Sequence, residues 1–195
     1  MGTRGLYGFR SSGFDKTTYN HFDSYPEYLG KLVGEFCANT SIDDMRKMYD
    51  RIQLVSEDSQ PNAQQVDFCQ RNGLVDLTVS NCSVDDWYCL LRSQQGDLEK
   101  LKELCLEHGQ AYMIDNHTFI ENSLFCEYAY IIDLDTEQLE YYVGFQKQPQ
   151  VGNRYGVSPD ENGYYPCKLA GSFPLERLYN GYDEAAFIGA LNMLV

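Results

Sequence analysis

Long apolar runs are missing from this chain: nowhere do the roughly 20 apolar residues of a membrane-spanning helix follow one another, and the opening MGTRGLYGFR lacks the apolar core of a secretory signal. The expectation is a cytoplasmic protein with no membrane contact. Walker loop, GxGxxG, GxSxG, HExxH and EF-hand loop are also absent, so the common phosphate, serine-nucleophile and metal mechanisms have no sequence support. No cofactor and no metal is expected. The seven cysteines, at 37, 69, 82, 89, 105, 126 and 167, are odd in number, include no CxxC pair and sit mostly inside apolar patterns. With no export signal they read as reduced thiols packed as small hydrophobes, without a disulfide framework or a zinc site. Positive charge is scarce: 15 Lys and Arg stand against 29 Asp and Glu, a net charge of −14. Residues 83–140 alone carry −10 of it. Such a surface repels phosphate backbones and excludes direct nucleic-acid binding; it reads as a solvated acidic face or as a docking surface for a basic partner.

What is present is an ample core. Residues of the hydrophobic class make up 43% of the 195, enough to fold and to rule out disorder, and the length fits a single domain spanning 1–195. Sixteen tyrosines against ten phenylalanines and one tryptophan imply many core positions whose hydroxyl needs a partner, at a polar core edge or a pocket.

The pattern along the chain predicts an α+β fold. GLYGFR, SSGFD and KTTYNHF read as an N-terminal β-hairpin. A helix follows near Pro26, capped by Asp23 or Ser24, with Tyr28, Leu29, Leu32, Val33 and Phe36 facing the core. Ser41 caps a second helix over IDDMRKMYDRIQLV, whose early acids and later bases suit the helix dipole. NAQQVDFCQRNG reads as a short helix, LVDLTVS as a strand or extended connection, VDDWYCLLRSQQ as a helix with Trp87, Leu90 and Leu91 inward, and GDLEKLKELCLEHG as its restart, stopped by Gly109. The pattern then changes to strands at 111–115, 124–133 and 139–145. The run Leu124 to Ile132 is apolar almost throughout, as a central strand buried on both faces would be. Residues 146–166 read as an irregular surface loop or lid, and FPLERL and a helix near DEAAFIGALNML end the chain. The expected architecture is an antiparallel sheet of the hairpin and the C-terminal-half strands, with a helical middle segment packed on it.

Two places carry candidate chemistry. The junction TTYNHFDSYPEYLG crowds Tyr19, Asn20, His21, Asp23, Ser24 and Tyr25 into seven positions. His21 and Asp23, two apart on extended backbone, can project together as an imidazole–carboxylate pair; alternatively Asp23 caps the helix and His21 is structural. Glu127 lies in the middle of an apolar strand, where a carboxylate must be paired or protonated. Arg4 is its natural partner if the first strand lies beside it, and the alternative is a structural pair or an edge-exposed Glu. Asp115, Asn116 and His117 follow a strand, as a pocket rim or a plain turn, and His108 ends a helix at its carbonyl end.

MGTRGLYGF, YNHFDSYPEYLG, DDWYCLLRSQQGDLE, YMIDN, LFCEYAYIIDLDT and YYVGF together resemble an uncharacterised family of small proteins from bacteria and their phages. That resemblance covers most of the chain and implies one unit, with no reaction attached. A second resemblance is to N-terminal-nucleophile hydrolases of the class II glutamine amidotransferase type, whose chains begin at once with a buried strand and later carry a DS-containing turn, here HFDSYP. Where that family has Met followed by Cys, this chain has Gly2, which has no nucleophilic side chain; the resemblance leaves Thr3 as the nearest candidate nucleophile.

Two functional expectations follow. The first is a small-molecule-binding or hydrolytic domain with a pocket at the hairpin and the His21–Tyr25 turn, using His21, Asp23 and Glu127 as catalytic groups and Thr3, Arg4, Tyr25, Asp115 and Asn116 as ligand contacts. The second is an acidic interaction or inhibitor protein of bacterial or phage origin that covers a basic surface on a host partner.

Overall fold

A computed structural model describes residues 2–79 and 81–195 of the chain. The expected hairpin is β1 (Gly5–Ser11) and β2 (Phe14–Asn20), turned at Ser12 and Gly13, whose φ angles of 53° and 79° are both left-handed. The Asp135 carboxylate fixes that turn by accepting from both backbone N–H groups, at 2.7 and 3.0 Å. A wide π-type turn at Pro26–Gly30 leads into α1 (Lys31–Ala38), followed by α2 (Ile42–Arg51) and β3 (Ile52–Val55). Next come α3 (Ala63–Arg71), the single-turn α4 (Trp87–Leu90), α5 (Leu98–His108) and β4 (Ala111–Ile114). The remainder is β5 (Tyr128–Asp133), β6 (Gln138–Val143), β7 (Lys168–Pro174), α6 (Leu175–Gly181) and α7 (Glu184–Asn192).

Five strands form one sheet in the order β2-β1-β5-β6-β7, parallel between β1 and β5 and antiparallel elsewhere. The fold is therefore α+β with a mostly antiparallel sheet. β5 is central, as its apolar run predicts, but it begins at Tyr128 and not at 124, so Glu127 lies just before the strand and not in its middle. Tyr130 and Ile132 enter the main core under the helices, while Ala129 and Ile131 enter a smaller core on the opposite face. That second core is closed by Ile120, Cys126 and Cys167 from the connecting segments. The main core takes Phe36 from α1, Met45 and Met48 from α2, Leu101 and Leu104 from α5, and Phe187 and Leu191 from α7. Burying an aliphatic side chain of this size stabilises by roughly 1.5–3 kcal/mol.

Caps set the helix starts. The Ser41 hydroxyl accepts from Asp44 N–H, Asn62 and Gln65 form a reciprocal capping box, and the Asp97 carboxylate accepts from Lys100 N–H. α5 stops at Gly109, in left-handed backbone at φ 77°.

Several expectations are corrected. The second helix ends at Arg51, because residues 52–55 pair in parallel with β4 as a separate two-stranded sheet. The strand expected at 111–115 therefore lies outside the main sheet. The helix expected from Ser83 shrinks to α4 and a 3₁₀ turn at Arg92–Gln94. Its backbone groups are diverted to the stretch before it: Cys89 C=O accepts from Asp76 N–H at 3.1 Å, and Ser93 N–H donates to Leu74 C=O at 3.0 Å. Leu74 to Val79 forms no strand and is an irregular connection; Ser80 lies outside the described residues. Cys82 and Cys89 are joined as a disulfide, with their Cα atoms 5.7 Å apart, while Cys37, Cys69, Cys105, Cys126 and Cys167 are free and buried. The missing export signal predicts seven thiols; packing α4 against the preceding turn brings these two together. β7 has no counterpart in the expected strands: it is an edge strand whose residues are mostly half-buried, so it shows no clean alternation. Among the described residues no helix is long and apolar enough to cross a membrane.

Candidate functional site

The parallel register Gly5↔Tyr128 puts the preceding residues, Arg4 and Glu127, side by side. Glu127 N–H donates to Arg4 C=O at 3.0 Å, Arg4 N–H donates to Glu127 Oε1 at 3.1 Å, and the guanidinium Nε lies 3.8 Å from the same oxygen. The pair is partly open to solvent, with side chains 35% and 21% exposed, and the guanidinium also lies over the Phe125 ring at 4.8 Å. Tyr19, opposite Leu6 on β2, packs edge-on to Phe119 and meets His21 Nδ1 through its hydroxyl at 2.8 Å. Burial raises the Tyr19 hydroxyl pKa; among its charged neighbours, Arg4 pulls it down and Glu127 pushes it up. Arg4 with Glu127, and Tyr19 with His21, thus form two neighbouring polar pairs at the open end of the hairpin.

The turn after it works through its backbone. Asp23 is left-handed at φ 51°, and its carbonyl, not its carboxylate, accepts from Leu29 N–H at 3.2 Å. Neither Asp23 nor Ser24 caps the helix: Tyr25 holds that position without a side-chain bond, and the buried Ser24 hydroxyl accepts from Asn20 Nδ2 at 2.8 Å. Thr3 contributes its carbonyl to Ser24 N–H at 3.1 Å. Asp115 holds His117, Oδ1 to Nδ1 at 2.7 Å, and Asn116 Oδ1 accepts from Tyr19 N–H and the Thr18 hydroxyl, which ties the end of β4 to β2. Asn116 and Tyr19 line a 170 Å³ hollow with Glu57 and Gln95, where burial and the carboxylates of Asp86 and Asp58 raise the Glu57 pKa.

A broad concavity lies beside this turn. A cleft of about 970 Å³ opens between the end of β2, the turn at Pro26–Gly30 with α1, and residues 92–99. Leu29, Leu32, Phe36 and Leu98 give it apolar walls, Phe22, Tyr28 and Tyr182 contribute rings, and Glu35, Asp76, Asp97 and Glu99 contribute carboxylates. Arg92 is the one basic side chain among the described lining residues. It is already engaged: Nε lies 3.4 Å from Asp76 Oδ2, and Nη1 donates to the Tyr88 hydroxyl at 2.5 Å. Asn20, 6% exposed, donates its amide to Phe22 C=O and Ser24 Oγ, while its Oδ1 has no hydrogen-bond donor among the described residues. That oxygen faces Gly96, where an added Cβ would come within 3.0 Å of it and where φ is 79°. Gly96 is needed here both for its backbone and for this close approach. Of the residues expected at the site, Asn20's neighbours in the turn flank the cleft, but Thr3, Arg4, His21, Asp23, Tyr25, Asp115, Asn116 and Glu127 are not among its lining residues.

A polar cluster lies on the sheet face away from the helices. Arg154, from the 146–166 segment, bonds Asp133 Oδ2 at 3.0 Å and both oxygens of Glu140; Arg10 bonds Asp15 at 2.7 Å and lies 3.9 Å from Asp133; the Tyr155 hydroxyl donates to Asp15 at 2.9 Å. Burial raises the Glu140 pKa while Arg154 holds it down, and burial with the nearby Glu140 carboxylate raises the Tyr142 hydroxyl. Sequence reasoning missed this network because all its contacts but Arg10–Asp15 join partners 14 to 140 positions apart; a lone arginine in a Gly- and Pro-rich loop was the main local hint.

Comparison with protein-family models, with curated proteins and with solved structures found no match to the chain, so the family resemblances rest on the quoted residues alone.

Proposed function

We propose that the chain is a small-molecule-binding domain whose ligand occupies the cleft between the end of β2, α1 and residues 92–99. The observation that carries this reading is the cleft itself: about 970 Å³ of concave space with apolar walls and a few inward polar groups, at the upper end of the roughly 300–1,000 Å³ of small-molecule sites. It adjoins the His21–Tyr25 turn through Asn20 and Phe22, where the sequence is densest in polar and aromatic side chains. The binding half of the sequence expectation is the half that the cleft supports. A hydrolytic role for His21, Asp23 and Glu127 requires substrate to reach the Arg4–Glu127 pair, which lies outside the cleft lining.

A fragment screen read by amide NMR shifts tests the proposal. Hits are expected to move the resonances of Phe22, Leu32, Gly96 and Leu98 together. A screen whose hits gather elsewhere, or that yields none while a basic protein surface binds the acidic middle third, overturns it in favour of the interaction-protein reading.

A further inference from the structure

Resting on the reading of the cleft as a ligand site, we propose that its ligand is a small organic cation: an amine carried on an apolar or aromatic body. Four carboxylates line the cleft against one guanidinium, and that guanidinium is bound to Asp76 and to the Tyr88 hydroxyl. An anionic ligand would enter against uncompensated negative charge and find no free cationic donor to meet it. Asp76 Oδ1 is held by Thr78 and Asp97 Oδ1 caps α5, while the two glutamates have only long, solvated ion pairs: Glu35 lies 3.8 Å from Lys31, which is closer to Glu184 at 3.0 Å, and Glu99 lies 3.8 Å from Lys102. Exposed pairs of this kind contribute little and leave their carboxylates available.

Asn20 points to the same chemistry from a different direction. It is more than nine-tenths buried, both described bonds of its amide nitrogen go to the turn, and its Oδ1 is left as an acceptor on the cleft wall. No donor among the described residues meets that oxygen, and it is not sealed from solvent, so it is an open acceptor that an incoming N–H or O–H group can use in place of water. An ammonium supplies that donor and answers the acids together, whereas a neutral donor satisfies Asn20 alone.

The rings set the rest of the ligand. Phe22 and Tyr28 are each 52% exposed at the cleft, large apolar surfaces that gain both from covering a hydrocarbon body and from a cation over their faces. The Tyr182 hydroxyl on the α7 side is pushed up to about 12, by burial first and then by the Glu35 and Glu184 carboxylates, in keeping with negative potential at that wall.

The test is titration of the full chain with phenethylamine and spermidine, beside the neutral N-acetylphenethylamine and the anion 3-phenylpropionate, by calorimetry and amide NMR at low and high salt. The amines are expected to bind in the cleft and to weaken with salt, the neutral analogue to bind more weakly, and the anion not at all. The triple variant E35Q/D97N/E99Q keeps the side-chain shapes, and an asparagine in place of Asp97 remains a competent helix cap. It is expected to lose at least about tenfold in amine affinity, equivalent to about 1.4 kcal/mol, with the neutral analogue unaffected. Equal binding of neutral and cationic probes, tighter binding of the anion, or full amine affinity in the triple variant overturns the cation assignment and leaves the binding cleft standing. If no probe moves any cleft resonance, the cleft is not a ligand site and both readings fall.

Discussion

The two ends of the sheet handle carboxylates in opposite ways. On the face away from the helices, Asp15, Asp133 and Glu140 have side chains no more than 10% exposed, and each is answered by Arg10 or Arg154 at hydrogen-bond distance. In the cleft, Glu35, Asp97 and Glu99 stay open to solvent, and the one guanidinium present serves Asp76. Desolvation explains the difference. A carboxylate taken out of water must be paired at once, so a buried set becomes a fixed clamp; one left in a wet concavity keeps its charge for something that arrives later. The clamp secures the 146–166 segment to the sheet, and the cleft stays unfilled by its own chain.

Breaking the clamp should give the largest effect. Arg154→Met strands the buried Glu140 and leaves Asp133 with only Arg10 at 3.9 Å as a cation, which should cost about 3–5 kcal/mol at neutral pH in urea or thermal unfolding. In contrast, Glu99→Gln in the cleft should stay within about 0.5 kcal/mol of the parent. The deficit of Arg154→Met should shrink on acidification. Burial already holds the Glu140 pKa above its ordinary 4.5, and losing Arg154 raises it further. A raised folded-state pKa gives a stability contribution that is complete below the unfolded value and lost as pH rises through the folded one, so protonation as the pH falls toward 4.5 relieves the variant. An Arg154→Met protein that melts with the parent at pH 7 would show that the clamp does not bear on stability.

The disulfide sharpens the comparison from the cleft side. Cys82–Cys89 closes a short loop behind the wall where Asp76 N–H meets Cys89 C=O and Ser93 N–H meets Leu74 C=O. Alkylation in denaturant without reductant should label five cysteines, and with reductant all seven. Reduction should cost about 2 kcal/mol, the loop-closure value for so short a ring. Hydrogen exchange should then speed up at Asp76 and Ser93 and stay unchanged at Ile131 and Asp133. Five free thiols with uniform exchange changes would mean the bond braces the whole protein and not the cleft wall.

How far the sequence can be read follows the same division between local and distant pairing. The hairpin, the α2 cap, the α5 stop and the central apolar strand were legible because each depends on neighbours within a few positions: Ser41 with Asp44, Gly109 at the end of the α5 stripe, and the apolar run Leu124 to Ile132, of which Tyr128 onward forms β5. The turn at His21 to Tyr25 was legible as a dense spot, and Arg4 beside Glu127 followed once the two strands were placed together. β3 was hidden because Ile52 to Val55 continue a helical pattern, and only their pairing with β4 overrides it. Helix formation after Ser83 was over-read because nothing local shows that Cys89 C=O is needed by Asp76. The cleft itself was invisible: Asn20 meets Gly96, and α1 faces residues 92–99, only after folding.

The smallest effect is expected at the Arg4–Glu127 pair, which lies between the two regimes. Its side chains are 35% and 21% exposed, so the charge interaction is screened, and the bond to Arg4 N–H can be kept by an amide oxygen. Glu127→Gln should therefore change stability by less than about 1 kcal/mol and leave amine binding in the cleft untouched, since Glu127 is not among the cleft's lining residues. Paired chemical melts and probe titrations of the two proteins measure both quantities. A loss beyond about 2 kcal/mol would place the pair with the buried clamp. A loss of ligand affinity at unchanged stability would instead place Glu127 within the field of the site, and would bring the hairpin's polar pairs and the cleft together as one functional surface.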